Sequence, residues 1–115
     1  KQEQNQNDYL KIARHEIYCT LEDVVKACKL HVKTGGKVAI VHRPGRVVDI
    51  ISLFRQYHIE PKRIRFIYPK QGKEANMLLI EGIRDGSSDV KILPPLYIYQ
   101  ENGKYTKEAE EIIYG

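Results

Sequence analysis

Hydrophobic and polar positions along the chain change period several times, and each change marks an element. From Thr20 to Lys33 the apolar residues Leu21, Val24, Val25, Cys28 and Val32 recur at helical spacing, with Thr20 placed to cap the first turn and Gly35-Gly36 placed to stop the helix. Val38 to Val41 is a continuous apolar run between turn signals, which predicts a short central strand covered on both faces. After His42-Arg43-Pro44-Gly45 a second helix is expected over Arg46 to Tyr57, with Val47, Ile50, Ile51 and Phe54 on one side and Asp49, Ser52 and Gln56 on the other. Pro61 reads as a break. Arg63 to Tyr68 then alternates charged and apolar residues before Phe66-Ile67-Tyr68, as an edge strand does. Pro69 to Asn76 reads as a loop, and Met77 to about Ile83 as an inner strand. Pro94-Pro95 forbids a central strand over Ile92 to Tyr99, leaving an extended cover or short edge there, and Thr106 to Tyr114 reads as a terminal helical turn or two.

These elements imply an order. A strand, helix, strand unit crosses over right-handed between parallel strands. The third strand, arriving by a hairpin-like loop, runs antiparallel to the second. Placing it between the other two makes both apolar strands internal and leaves the charged strand outside. The expected order is therefore Lys37–His42, Met77–Ile83, Arg63–Tyr68.

Length limits the rest. With 115 residues the chain forms one small core and has no room for a large ligand cavity besides. No apolar run approaches the roughly 20 residues that span a bilayer, and none of these residues is expected to act as a signal peptide. Cys19 and Cys28 are too few for a disulfide scaffold and form no Cys-x-x-Cys pair, so a cytoplasmic setting is expected. The net charge of +4 is unevenly distributed: +3 over residues 1–60, +4 over residues 61–74 and −3 over residues 75–115. The basic block comprises Lys62, Arg63, Arg65, Lys70 and Lys73 with Phe66 and Tyr68 interleaved, a composition that suits a phosphate backbone. Basic side chains on an edge strand also serve simply to prevent sheets from joining. Residues 1–12 read as a mobile tail or severed loop, because the first eight are nearly all Gln, Asn, Glu and Lys.

Several runs taken together carry a resemblance. Ala13-Arg14-His15-Glu16, Cys19-Thr20-Leu21-Glu22-Asp23, Val41-His42-Arg43-Pro44, Glu60-Pro61-Lys62-Arg63 and Pro94-Pro95-Leu96 follow one another in an order that resembles the C-terminal half of bacterial methyltransferases. The group is the small-domain family similar to tRNA1(Val) adenine-N6-methyltransferase. The resemblance implies that residues 13–115 are the C-terminal part of a class I, Rossmann-like S-adenosylmethionine-dependent domain. Such a domain has a mixed sheet with an antiparallel strand between two parallel ones and helices packed on it. It also implies that Lys37–His42, Arg63–Tyr68 and Met77–Ile83 are the family's fifth, sixth and seventh strands. Two family features are missing: the acidic, Gly-rich loop that receives the cofactor, and the Asn-Pro-Pro-Tyr motif that grips and stacks on the base. S-adenosylmethionine is thus the expected cofactor of a full-length parent, with no binding or catalysis by this chain alone.

Candidate substrate-contacting residues are Arg14 and His15, which in the family follow the catalytic loop, Arg43 and Arg46 beyond a parallel strand, and the basic block. Each also has a plain role as a turn, an anchor or a solvated surface. His15, Cys19, Cys28 and His31 are close in sequence but at no familiar zinc spacing, and Cys28 belongs to an apolar stripe, so neither metal nor a Cys19 nucleophile is expected. Asp49, Glu81 and Asp85 read as solvated carboxylates rather than catalytic ones. Two functions compete: a piece of a tRNA adenine-N6 methyltransferase that completes the sheet and offers an RNA-facing rim, or a stand-alone, non-enzymatic α/β RNA-binding module. The same small-domain group includes protein and small-molecule methylators. With the family's fourth strand lying upstream of residue 1, the Lys37–His42 edge is expected to pair with a second copy.

Overall fold

The structure, a computed structural model, describes residues 19–115. It contains helix α1 (Leu21–His31), strand β1 (Lys37–His42), a 3-10 turn (Pro44–Arg46) leading into helix α2 (Val47–Gln56), strands β2 (Ile59–Tyr68) and β3 (Met77–Arg84), the short strands β4 (Lys91–Ile92) and β5 (Leu96–Tyr97), and helix α3 (Lys107–Tyr114). The sheet runs β1-β3-β2-β4, with β5 also paired to β2. β3 is antiparallel to both neighbours, so β1 and β2 are parallel to each other and α2 makes the crossover. This is the order expected from the burial pattern.

Residue rows across the three long strands form the core face. Ile40, Ile80 and Ile64 align, as do His42, Leu78 and Phe66, and Val38, Gly82 and Pro61. Against this face pack Leu21 and Val25 of α1 and Ile50 and Phe54 of α2. Thr20 caps α1 by accepting from the Asp23 amide while the Asp23 carboxylate accepts from the Thr20 amide, both at 3.1 Å. This reciprocal cap satisfies two donors that a helix start otherwise leaves open. The two helices are tied by Tyr57, whose hydroxyl donates to Glu22 at 2.6 Å. That hydrogen bond, together with desolvation and the charges of Glu22 and Asp23, raises the Tyr57 pKa.

The structure corrects four details of the sequence reading. Pro61 does not break the chain but lies buried inside β2, where the register skips one residue between Pro61 and Arg63. The bulge falls at Lys62. It reverses the in-out alternation, so that Pro61 and Ile64, three apart, both face the core while Arg63 and Arg65 face the other way. Second, β2 is not a bare edge: residues 91–98 run parallel along its outer side, with Leu93 and Ile98 amides donating to the Ile64 and Tyr68 carbonyls at 2.8 and 3.0 Å. The Pro94-Pro95 pair, lacking amide donors, splits this cover into β4 and β5. Third, β1 is covered on one face only and is the outer strand among the described residues, with Val41 57% exposed. Fourth, α1 stops at His31, before the glycines. Arg84 of β3 donates from Nη1 to the Lys29 and Val32 carbonyls at 3.0 and 2.6 Å, and Gly35 supplies the positive φ of +83° that turns the chain into β1.

At Gly82 the sheet lies close under Phe54 of α2. A β-carbon there would lie 2.7 Å from Ile59 Cγ2, 2.9 Å from Phe54 Cε2 and 3.0 Å from the Glu60 carbonyl oxygen. Gly82→Ala is expected to destabilise the chain by about 1–3 kcal/mol, read as a lower denaturant midpoint with an unchanged slope.

The outer edge of β1 carries no charge or proline between Lys37 and His42. An antiparallel twofold pairing with Ile40 opposite its symmetry mate sets Ala39 against Val41 and Val38 against His42, and brings like charges together only beyond the strand end, where Lys37 meets Arg43. Light scattering over rising concentration is expected to show a dimer that Val41→Lys dissociates. A monomeric mass throughout would remove this edge as a self-pairing surface.

Candidate nucleic-acid interface

The residues proposed to contact RNA divide into three sets. Arg14 and His15 lie outside the described residues. Arg43 and Arg46 follow β1, and Lys70 and Lys73 follow β2. Because β1 and β2 are parallel, their carboxyl ends share one rim of the sheet, so those four side chains belong to the same end of the molecule. Lys62, Arg63 and Arg65 lie within β2 itself, short of that rim.

Most of the basic block is engaged with the protein itself. Lys62, freed from the ladder by its bulge, donates from Nζ to the Ser87 and Ser88 carbonyls at 2.9 and 3.1 Å. Arg63 stands 3.7 Å from Glu81 across the sheet. Arg65 donates through Nε to the Pro94 carbonyl at 3.1 Å and through Nη2 to the Glu108 carboxylate. Together Lys62 and Arg65 fasten residues 87–108 against β2. With Leu79 and Leu93, the groups of Arg63, Arg65 and Glu81 line a shallow hollow of about 120 Å³ on the face opposite α1 and α2. Arg63 is paired there with Glu81, and Arg65 with Glu108 outside the hollow.

The rim differs. Arg43 is exposed, and its amide donates to His42 Nδ1 at 2.9 Å, holding the imidazole over the turn. Arg46 donates to Asp49 at 2.9 Å on the first turn of α2. Beside Arg46 and Asp49, an open hollow is lined by Thr20, Leu21, Glu22, Ser52 and Leu53, between the amino ends of the two helices. Lys70 is 3.9 Å from Glu101, an exposed pair of the kind that contributes little to stability. Lys73 is exposed on the Pro69–Asn76 loop.

Of the aromatic residues that gather at this rim, sequence reasoning singled out Tyr68 alone. Tyr68 and Tyr97 lie opposite in the β2–β5 register with ring centroids 5.4 Å apart. Next to them, Tyr99 and Tyr105 stack at 5.4 Å with planes 14° apart, and Tyr114 meets Tyr105 edge-on at 6.3 Å. The alternation Tyr97-Ile98-Tyr99 was the available signal, since it sets both rings on one side of an extended segment. Cys28 is half-buried in the α1 stripe, and that burial raises its pKa, which disfavours a reactive thiolate. No group of three or more His, Cys, Asp or Glu able to hold a metal ion occurs among the described residues. No helix among them is long and apolar enough to cross a membrane.

No family model matches the sequence, and no curated protein matches it. Solved structures do. A predicted O-methyltransferase, protein Atu636 from Agrobacterium tumefaciens, aligns with a TM-score of 0.75 at 21% identity, over 83% of this chain and 46% of that protein. The chain therefore spans less than half the length of the structure it matches. What the two share at that identity is architecture. The chain has a methyltransferase-like fold, a mixed α/β sheet whose antiparallel β3 stands between parallel β1 and β2 with helices packed upon it.

Proposed function

We propose that this chain is the C-terminal part of an S-adenosylmethionine-dependent methyltransferase acting on adenine N6 in tRNA, and that it supplies the end of the sheet and one wall of the RNA-facing rim. The observation that carries the methyltransferase half of this reading is the agreement with a predicted O-methyltransferase over 83% of the chain. The adenine and tRNA half rests on the sequence runs from Ala13 to Leu96 and on the basic, aromatic rim.

In this reading β1 is the family's fifth strand, so His42-Arg43-Pro44-Gly45 is not the counterpart of the acidic, Gly-rich loop that follows the first strand and receives the methionine moiety, and none of the described residues is assigned to the cofactor. No step of methyl transfer is therefore assigned to these side chains. Their work is to bind. Arg43, Lys70 and Lys73 offer charge to phosphates at the carboxyl ends of the parallel strands, where open α/β sheets place ligands. Lys62, Arg63 and Arg65 contribute through structure, by holding the cover on β2.

Calorimetry of this chain with S-adenosylmethionine is expected to show no saturable heat, and micromolar binding would place the cofactor site within it. The longer polypeptide, given labelled methyl donor and unmodified tRNA, is expected to yield N6-methyladenosine on digestion. Label on any other atom would overturn the adenine reading. A coding region with neither a Gly-rich loop nor an Asn-Pro-Pro-aromatic motif would leave the stand-alone RNA-binding module.

Substitutions separate the two sets of cations. Arg43→Glu with Lys73→Glu is expected to weaken RNA binding and flatten its salt dependence by roughly 0.7 in log–log slope per lost phosphate contact, without lowering the thermal midpoint. Arg65→Glu is expected to lower the thermal midpoint, because it removes two contacts to the cover and sets like charge against Glu108.

A further inference from the structure

Residues 99–105 form a small hairpin whose shape is set by main-chain bonds. Tyr99 and Tyr105 bridge across it, the Gln100 amide donates to the Lys104 carbonyl at 2.7 Å, and Gly103 turns with φ of +85°. Gln100 adds a side-chain bond from Nε2 to the Tyr105 carbonyl at 2.8 Å, and the Lys104 amide donates to Asn102 Oδ1 at 3.0 Å. The hairpin is anchored to the rim at both ends. The Tyr99 amide donates to the Pro69 carbonyl at 2.8 Å, the Thr106 amide to the Ile98 carbonyl at 2.9 Å, and the Thr106 hydroxyl to the Tyr97 carbonyl. A rigid frame therefore presents two parallel rings. Among the described residues Tyr99 has one neighbour ring, Tyr105, and it leaves 42% of its surface in solvent.

A flat, preorganised aromatic face suits another flat π-system, and base stacking on such a face accepts any sequence. Phosphate contacts are offered by Lys70 and Lys73 on the adjoining loop and Lys104 on the hairpin, while Glu74, Glu101 and the Glu108, Glu110 and Glu111 carboxylates of α3 bound the basic side. The Lys70–Glu101 pair at 3.9 Å is exposed, so a phosphate can replace the carboxylate.

We propose that Tyr99, backed by Tyr105, is a stacking platform for an unpaired base of single-stranded RNA, with Lys70 and Lys73 receiving the neighbouring phosphates. This rests on the RNA reading given above and names where a base sits within it. The chain has eight tyrosines and no tryptophan, so its intrinsic fluorescence reports tyrosine alone.

The test titrates the 115-residue chain with end-labelled oligo(A) and oligo(U) dodecamers, following anisotropy and the quenching of tyrosine fluorescence. Saturable binding is expected, with quenching, and tighter for oligo(A), whose purine offers the larger stacking area. Tyr99→Ala is expected to weaken oligo(A) binding by about fivefold or more with the salt slope unchanged. Tyr99→Phe should keep the native affinity. Tyr99→Leu retains bulk against Tyr105 but has no π face, and should lose affinity as the alanine variant does. Circular dichroism and the thermal midpoint identify variants that remain folded. If folded Tyr99→Leu and Tyr99→Ala bind as tightly as the native chain, the platform is overturned, the RNA reading stands, and the ring pair is left as a protein-facing surface. If the native chain binds neither oligonucleotide, the RNA reading of this chain falls with it.

Discussion

Everything in this fold is organised around a gap. The right-handed crossover through α2 sets β1 and β2 two strand-widths apart, about 10 Å, and leaves a slot between them that one strand must fill. Neither parallel strand can satisfy its backbone until it does. The occupant must run antiparallel, because it follows β2 by an eight-residue loop, and it must turn an unbroken apolar row toward the helices. β3 meets both conditions with Leu78 and Ile80, and with Gly82 where Phe54 comes too near for a side chain. The helices can then seat on a single continuous face.

The sequence made that logic legible because burial and charge segregate by strand. Two apolar runs and one charged run, with a known crossover hand, leave a single sensible order. Helix α1 could be read from its cap and stripe, and α2 from its stripe. What could not be read are features that depend on contacts distant in sequence. The bulge at Lys62 adds one residue without changing composition, and it alone decides that Pro61 is inside and Arg63 outside. The end of α1 is set by Arg84, more than 50 residues away, not by the nearby glycines. Strand β1 reads as doubly buried because it is apolar throughout, yet only Val38 and Ile40 meet the helices.

The same distinction governs the candidate site. A block of lysines and arginines on one strand looks uniform in sequence, but alternation and the bulge send its members in different directions. Arg65 and Lys62 are consumed by the segment they hold, whereas Lys70 and Lys73 lie past the end of β2 on a loop. The aromatic residues that give the rim its character come from β2, from the strand alongside it and from the hairpin beyond. Only pairing brings Tyr68 to Tyr97 and Tyr99 to Tyr105.

The Arg84 cap also has a consequence for how the chain is made. On the ribosome, α1, β1 and α2 emerge before β3, and about 35 residues separate the end of β1 from the start of β3. At roughly 5–20 residues per second, that interval lasts on the order of 2–7 s. Through it, β1 has no described partner and the last carbonyls of α1 lack their guanidinium. Until β3 is made, the apolar face of the first half has no middle strand to close it, and Arg84 near the end of β3 bonds both the turn before β1 and the last carbonyls of the first helix. Slow codons or a pause between Tyr68 and Met77 would lengthen the period in which that apolar surface lacks its middle strand.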